Sequence, residues 1–286
     1  MAIGAWPKAF GSRQMAVTDG TQYVRLGGTG PAILLLHGFG DTGDMWVPLA
    51  DALVKDRTVI VPDLRGMGLS SHPEGGYEKV AQARDLAVIL DQLGVRAVAL
   101  VTHDIGNMVG YAFAALFPQC VTTWVVMDAP LPGIGHWDEQ LKSPKVWHFN
   151  FRGPDVERLV AGRERILLDR FYNELSANPS RIDEETRDHY AALYARPGAI
   201  HNALGGQFAA FAQDAIDNQQ LVAKGKLQMP VLAIGGDHSY GANLATEIGF
   251  AAADVRAAVI ENSGHWIMEE QPEQAVTLIL PFLKGK

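Results

Sequence analysis

A chain of 286 residues is long enough to bury a core without a disulfide or metal staple. Its composition, 48% hydrophobic and 20% charged, rules out wholesale disorder. The formal net charge of −8 argues against nucleic acid and anionic membrane surfaces as partners.

Residues 1–10 lack the basic and long apolar segments of a secretory leader. No apolar run approaches the ~18 residues of a membrane span, so the expected compartment is the cytoplasm. Residues 32–36 read as a buried strand, followed by a glycine-rich loop and a helix over about 44–54. A strand at 58–61 follows, then an amphipathic helix at 77–93 stopped by Gly94. Next come a strand at 95–101, a helix at 107–117 and a strand at 121–127. Apolar strands alternating with helices predict a parallel sheet covered on both faces. After Asp128 the pattern changes. Residues 141–221 carry helical periodicity and no convincing strand, with helices at 156–168, 184–194 and 208–220. Strands return at 229–235 and 255–260, and a last helix spans 270–283. The expectation is an α/β core over 1–130 and 223–286, interrupted by a helical insertion at 131–222.

Three loops carry candidate chemistry. In residues 100–107, Thr102 and Gly106 flank Asp104 at a strand-to-helix junction, the small-x-nucleophile-x-small spacing of a nucleophile elbow. The competing reading is a helix N-cap. The Leu36-His-Gly-Phe-Gly40 loop can aim backbone N–H groups at a reacting oxygen, and Phe39 and Ile105 are the expected oxyanion donors. His37 is expected to tie that loop down. His265, in a glycine-led loop after the last strand, is placed to act as general base. A carboxylate must hold its ring, and two compete: Asp128 after the strand at 121–127, and Asp237 after the strand at 229–235. Asp63 and Arg65 are expected to shape a loop, and Glu269 and Glu270 to favour a helix dipole. The lone Cys120 can make neither an internal disulfide nor a thiolate-rich zinc site. No phosphate-binding loop or metal-ligand cluster appears, so no cofactor and no metal are expected.

The elbow, the Asp63–Ser70 loop and the terminal Gly-His-Trp-Ile-Met-Glu-Glu270 run together resemble α/β-hydrolases of the epoxide hydrolase and dehalogenase branch. Stretches at 127–132, 147–149, 161–165 and 194–197 are most similar to bacterial Cif-type epoxide hydrolases. The resemblance implies a mostly parallel eight-stranded sheet with helices on both faces and an all-helical cap. It implies hydrolysis of a small apolar epoxide or halide through an alkyl-enzyme ester on Asp104, and a homodimer. It also favours Asp128 as the acid, because Asp237 falls two positions before the later acid's place, which Ser239 occupies. His148 matches a leaving-group donor. The tyrosine that partners it is replaced by Gln207 or Phe208, leaving Tyr190, Tyr194 and Tyr240 as spatial substitutes. Trp46, Trp147, Trp137 and Met108 are further pocket candidates. Gly40 stands where epoxide hydrolases carry proline, so a more flexible loop is expected. The dehalogenase alternative lacks its arginines, since Ile105, Asn107 and Met108 follow the elbow, and Phe149 replaces a halide-binding tryptophan. A binding protein or an esterase-like enzyme on the same fold is the remaining alternative.

Overall fold

Runs rich in valine, isoleucine and leucine, bounded by glycine or proline, become strands in the computed structural model, which describes residues 5–285. Residues 1–4, on which part of the leader-free reading falls, lie outside the described residues. The strands are β1 (Phe10–Val17), β2 (Gly20–Gly27), β3 (Ala32–Leu36), β4 (Thr58–Pro62), β5 (Val98–His103), β6 (Val121–Met127), β7 (Val231–Gly236) and β8 (Val255–Ile260). They form one sheet in the order β1-β2-β4-β3-β5-β6-β7-β8. The β1–β2 and β2–β4 pairs are antiparallel and the rest are parallel. β5 and β7 are buried along their whole length, as parallel strands must be when helices cover both faces.

The helices of the sheet are α1 (Val47–Leu53), α2 (Lys79–Gln92) and α3 (Ile105–Leu116). Between β6 and β7 come only helices: α4 (Trp137–Gln140), α5 (Pro154–Val160), α6 (Glu164–Leu175), α7 (Glu184–Tyr194), a π-helix at His201–Phe208 and α8 (Phe211–Ala223). The chain closes with α9 (Asn243–Ile248), α10 (Ile267–Glu270) and α11 (Pro272–Leu283). Successive side chains of β3 point to opposite faces and so enter two different cores. Leu34 and Leu36 join α2, α3 and the β6–β7 helices on one face, while Ile33 and Leu35 join α1 and α11 on the other. Among the described residues, no helix is long and apolar enough to cross a membrane.

Several elements differ from the sequence expectation. The β1–β2 hairpin carries no readable signal, because β1 is an edge strand whose only buried residue is Met15. The helix expected at 156–168 is two helices, broken where Gly162 takes a φ of 74°. The π-helix precedes α8, which therefore starts at Phe211 rather than residue 208. The expected last helix at 270–283 is α11, preceded by the short α10. The breaks lie among the helices between β6 and β7, while the strands that position the site match their apolar runs closely.

Candidate active site

The loops leaving the C-terminal ends of β3, β5, β6 and β8 converge, as ligand sites of open α/β sheets do. Asp104 joins β5 to α3 with φ 51° and ψ −121°, a left-handed conformation that costs an aspartate about 1–3 kcal/mol. Glycines make the turn possible. A Cβ on Gly38 would lie 2.3 Å from the Asp104 Cβ, and one on Gly106 would lie 2.3 Å from the Leu36 carbonyl oxygen. Thr102 Oγ1 braces the turn by donating to Asn107 Oδ1 at 2.6 Å. The Asp104 carboxylate makes no capping hydrogen bond to α3; instead Oδ1 accepts the Phe39 N–H at 2.8 Å. Ile105 is the first residue of α3, where backbone N–H groups have no carbonyl partner within the helix.

His265 lies between two carboxylates. Its Nε2 is 3.6 Å from Asp104 Oδ2, and its Nδ1 is 3.1 Å from Asp128 Oδ2 and 3.0 Å from the Asp128 carbonyl oxygen. Asp128 is fully buried, and its other oxygen accepts the Gly236 N–H at 3.0 Å. Burial works against a charged His265. The Asp128 hydrogen bond outweighs it, helped by the charges of Asp104, Asp128 and Asp41, and its pKa rises to about 9. Asp237 does not reach the imidazole. Its carboxylate bonds His238 and accepts the N–H groups of Asn262 and Ser263, shaping the loop after β8. The His265 loop is itself pinned to the insertion, because the His265 N–H donates to the Leu175 carbonyl at 2.8 Å. A Cβ on Gly264 would lie 2.1 Å from that same oxygen.

Beneath this row lies a buried group that the sequence reading missed. His103 stacks 4.6 Å from the His265 ring and its Nε2–H donates to the His265 carbonyl at 2.9 Å. Its Nδ1 faces Asp41 Oδ2 at 3.4 Å. Burial disfavours the Asp41 charge, but the adjacent imidazoles of His103 and His37 hold its carboxyl below the usual range. His37 fixes the loop as expected, with Nδ1 on the Gly38 carbonyl and Nε2 accepting the Leu64 N–H. Position alone could have flagged His103 and Asp41, since one directly precedes Asp104 and the other directly follows the glycine loop. Glu269, expected merely to favour a helix dipole, is enclosed beside Tyr190, and burial together with the Asp41 charge raises its pKa to about 8.

A cavity of about 700 Å³ opens over Asp104 and is bordered by Phe39, Met108, His148, Phe208 and His265. His148 projects from the 3₁₀ turn Pro144–Asn150, and its ring lies 4.7–5.1 Å from Phe149, Phe171 and Phe208. Burial among these rings lowers its pKa to about 4 despite the attraction of Asp104. Three expected pocket residues lie elsewhere. Trp46 is wholly buried on the opposite face of the sheet. Trp147 packs outside the cavity on Phe171 and donates to Glu174. Gln207 is fully buried against α2, bonding Gln82 and the Arg65 carbonyl, because the π-helix presents its neighbour Phe208 to the cavity instead. Trp137, also considered for the pocket, stacks on Phe149 in the core. Of the three tyrosines considered, Tyr240 alone borders the cavity, its hydroxyl donating to Gln140 Oε1 at 2.6 Å.

The glycine loop is firmly held, contrary to the flexible loop expected of Gly40. Its φ of 87° is closed to proline. A Cβ there would lie 2.4 Å from the Trp266 ring. Its N–H donates to the Tyr194 hydroxyl at 2.8 Å, and its carbonyl accepts the Tyr172 hydroxyl. Asp63 and Arg65 are likewise structural, the first bonding Arg25 and backbone N–H groups and the second Asp85. Among the described residues, no group of three or more His, Cys, Asp or Glu side chains is placed to hold a metal ion.

Comparison with known proteins agrees with the fold. Residues 31–272 match the family described as alpha/beta hydrolase fold. A soluble epoxide hydrolase of Corynebacterium sp. (strain C12) is 31% identical over 265 residues, covering 89% of this chain and 91% of that protein. A fluoroacetate dehalogenase of Burkholderia sp. is 28% identical, covering 96% and 94%. The solved structure of Cfl2 from Burkholderia cenocepacia superposes with a TM-score of 0.90 at 32% identity, covering 96% of each chain.

Proposed function

Because the chain belongs to the α/β-hydrolase fold family, we propose that it hydrolyses epoxides to vicinal diols through a covalent ester on Asp104. One observation carries the reading: an aspartate occupies the strained elbow, and His265 stands between it and Asp128. Asp104 Oδ2 attacks an epoxide carbon, the ring C–O bond breaks, and the freed oxygen takes a proton. The His148 N–H at the cavity wall hydrogen-bonds the developing alkoxide, which takes its proton from a cavity water and leaves hydroxide behind. His265 then removes a proton from water, which adds to the Asp104 carboxyl carbon. The oxyanion forms on Oδ1, where the Phe39 N–H already points and the Ile105 N–H is the second donor. Collapse breaks the bond from the carboxyl carbon to the alkyl oxygen, which leaves with the proton held by His265, and the new carboxyl gives its proton to the hydroxide left by the first step, restoring the carboxylate. An attacking serine would leave a stable ether, which is why a carboxylate suits attack at an sp³ carbon. In this reading residues 1–130 and 223–286 supply the catalytic core and 131–222 the cap.

The fluoroacetate reading is less well supported. Among the described residues, no arginine borders the cavity to clamp a small carboxylate, and Asn107 is spent on the Met127 and Ala129 carbonyls. The test is a single turnover of an aromatic epoxide in oxygen-18 water, followed by digestion. Label is expected in the peptide containing Asp104, and His265→Gln is expected to accumulate the ester. Label absent from that peptide, or an adduct on another residue, overturns the assignment.

A further inference from the structure

We propose that the site selects bulky, uncharged, two-part substrates: an oxirane beside an apolar arm, with a neutral hydrogen-bonding group at the arm's far end. This rests on the epoxide reading above and adds size and charge to it. A cavity of about 700 Å³ is the size that encloses a drug-sized ligand. A two- or three-carbon epoxide would leave most of it to water, with nothing to hold the reacting carbon in line with Asp104 Oδ2.

The walls change character along the cavity. Around Asp104 they are aromatic, with Phe39 lying 5.0 Å from both Phe171 and Phe208, and His148 held within the same rings. These faces suit an aryl or alkyl arm and offer no partner to a charge. At the outer end they become polar, with Gln140, Ser143, Asn243 and Thr246 bordering the cavity. Those groups match an amide, ether or hydroxyl.

Charge sets the second limit. Five carboxylates border the cavity, Asp104, Asp128, Glu139, Glu174 and Glu247, against the exposed Lys145 and the imidazole of His265, which lies between Asp104 and Asp128. Glu247 is paired with His136 and Glu174 with Arg170, and Glu139 has no such partner among the described residues. Lys79, whose charge is felt together with that of Asp104, is wholly buried and 3.0 Å from Asp214. An anionic arm would therefore meet an excess of negative charge along its path, with only the exposed Lys145 and the Glu247-paired His136 among the described residues to offset it.

The experiment compares kcat/KM for three epoxides with the wild-type protein: an aryl glycidyl ether ending in a primary amide, its carboxylate analogue, and propylene oxide. The amide is expected to exceed the carboxylate at least tenfold at low salt, the gap narrowing as salt screens the field. Propylene oxide is expected to fall at least tenfold below the amide. Glu139→Lys should raise turnover of the carboxylate relative to the amide. Equal rates for amide and carboxylate, or for the amide and propylene oxide, overturn the selectivity while leaving the epoxide reading intact. Failure of every epoxide to modify Asp104 overturns both.

Discussion

The Asp104 carboxylate helps to set the charge of His265. The imidazole is pushed up to about 9 despite burial, and the Asp104 carboxylate is one of the charges that raise it. In the proposed mechanism esterification would remove that charge, making His265 a readier base at the moment water must be activated. Asp104→Asn imitates the neutralised state. It should lower the His265 pKa from about 9 toward its ordinary value of about 6.5, read by NMR titration of the ring protons. An unchanged pKa would mean that Asp128 and burial alone govern the ring. The sign also fixes a stability effect. A pKa raised on folding gives stabilisation that is full below about pH 6.5 and is lost as pH rises through about 9. The wild type should lose stability across that window, and Asp104→Asn should lose less.

At the scale of elements, the glycine loop shows how a departure from a sequence pattern can be an adaptation. Gly40 donates to Tyr194, accepts from Tyr172 and leaves room for the Trp266 ring. Proline would fit none of these, since its φ is fixed near −65° and it lacks the N–H. Gly40→Pro is expected to cost at least about 2 kcal/mol, from backbone strain, the lost N–H bond to Tyr194 and the clash with the Trp266 ring. Urea denaturation checks it, and a neutral effect would mean that the loop is not held this way. The same element explains what was legible. Asp104 and His265 sit in short local patterns at strand ends, where a sharp turn restricts the residue type, whereas only the family resemblance separated Asp128 from Asp237. Gln207 and Trp46 were misplaced for the opposite reason. Their spacing names a residue, but the π-helix and the face of the sheet decide where each side chain goes. The β1–β2 hairpin escaped because an exposed edge strand shows no alternation to read.

Across the whole molecule, the helical insertion and the sheet share one core and one buried ion pair. Phe39 after β3 packs on Phe171, Tyr194 and Phe208 of the insertion. Lys79 on α2 lies 3.0 Å from Asp214 on α8, and both side chains are almost inaccessible. Burial leads the shift of each, lowering the lysine and raising the aspartate even against their mutual attraction. Such a pair stabilises little relative to well-packed apolar side chains, yet removing one partner strands a buried charge. Lys79 keeps only the Tyr77 and Gln207 carbonyls once the carboxylate is gone. Asp214→Ala should therefore cost about 3–5 kcal/mol, while the double change Lys79→Met and Asp214→Leu should recover most of it. If insertion and sheet behave as one unit, Asp214→Ala shifts a single urea transition to lower concentration with its slope unchanged. Two transitions, with only the first moved, would mean that the insertion opens independently. The cavity wall bearing His148 and Phe208 would then open apart from the sheet that holds Asp104.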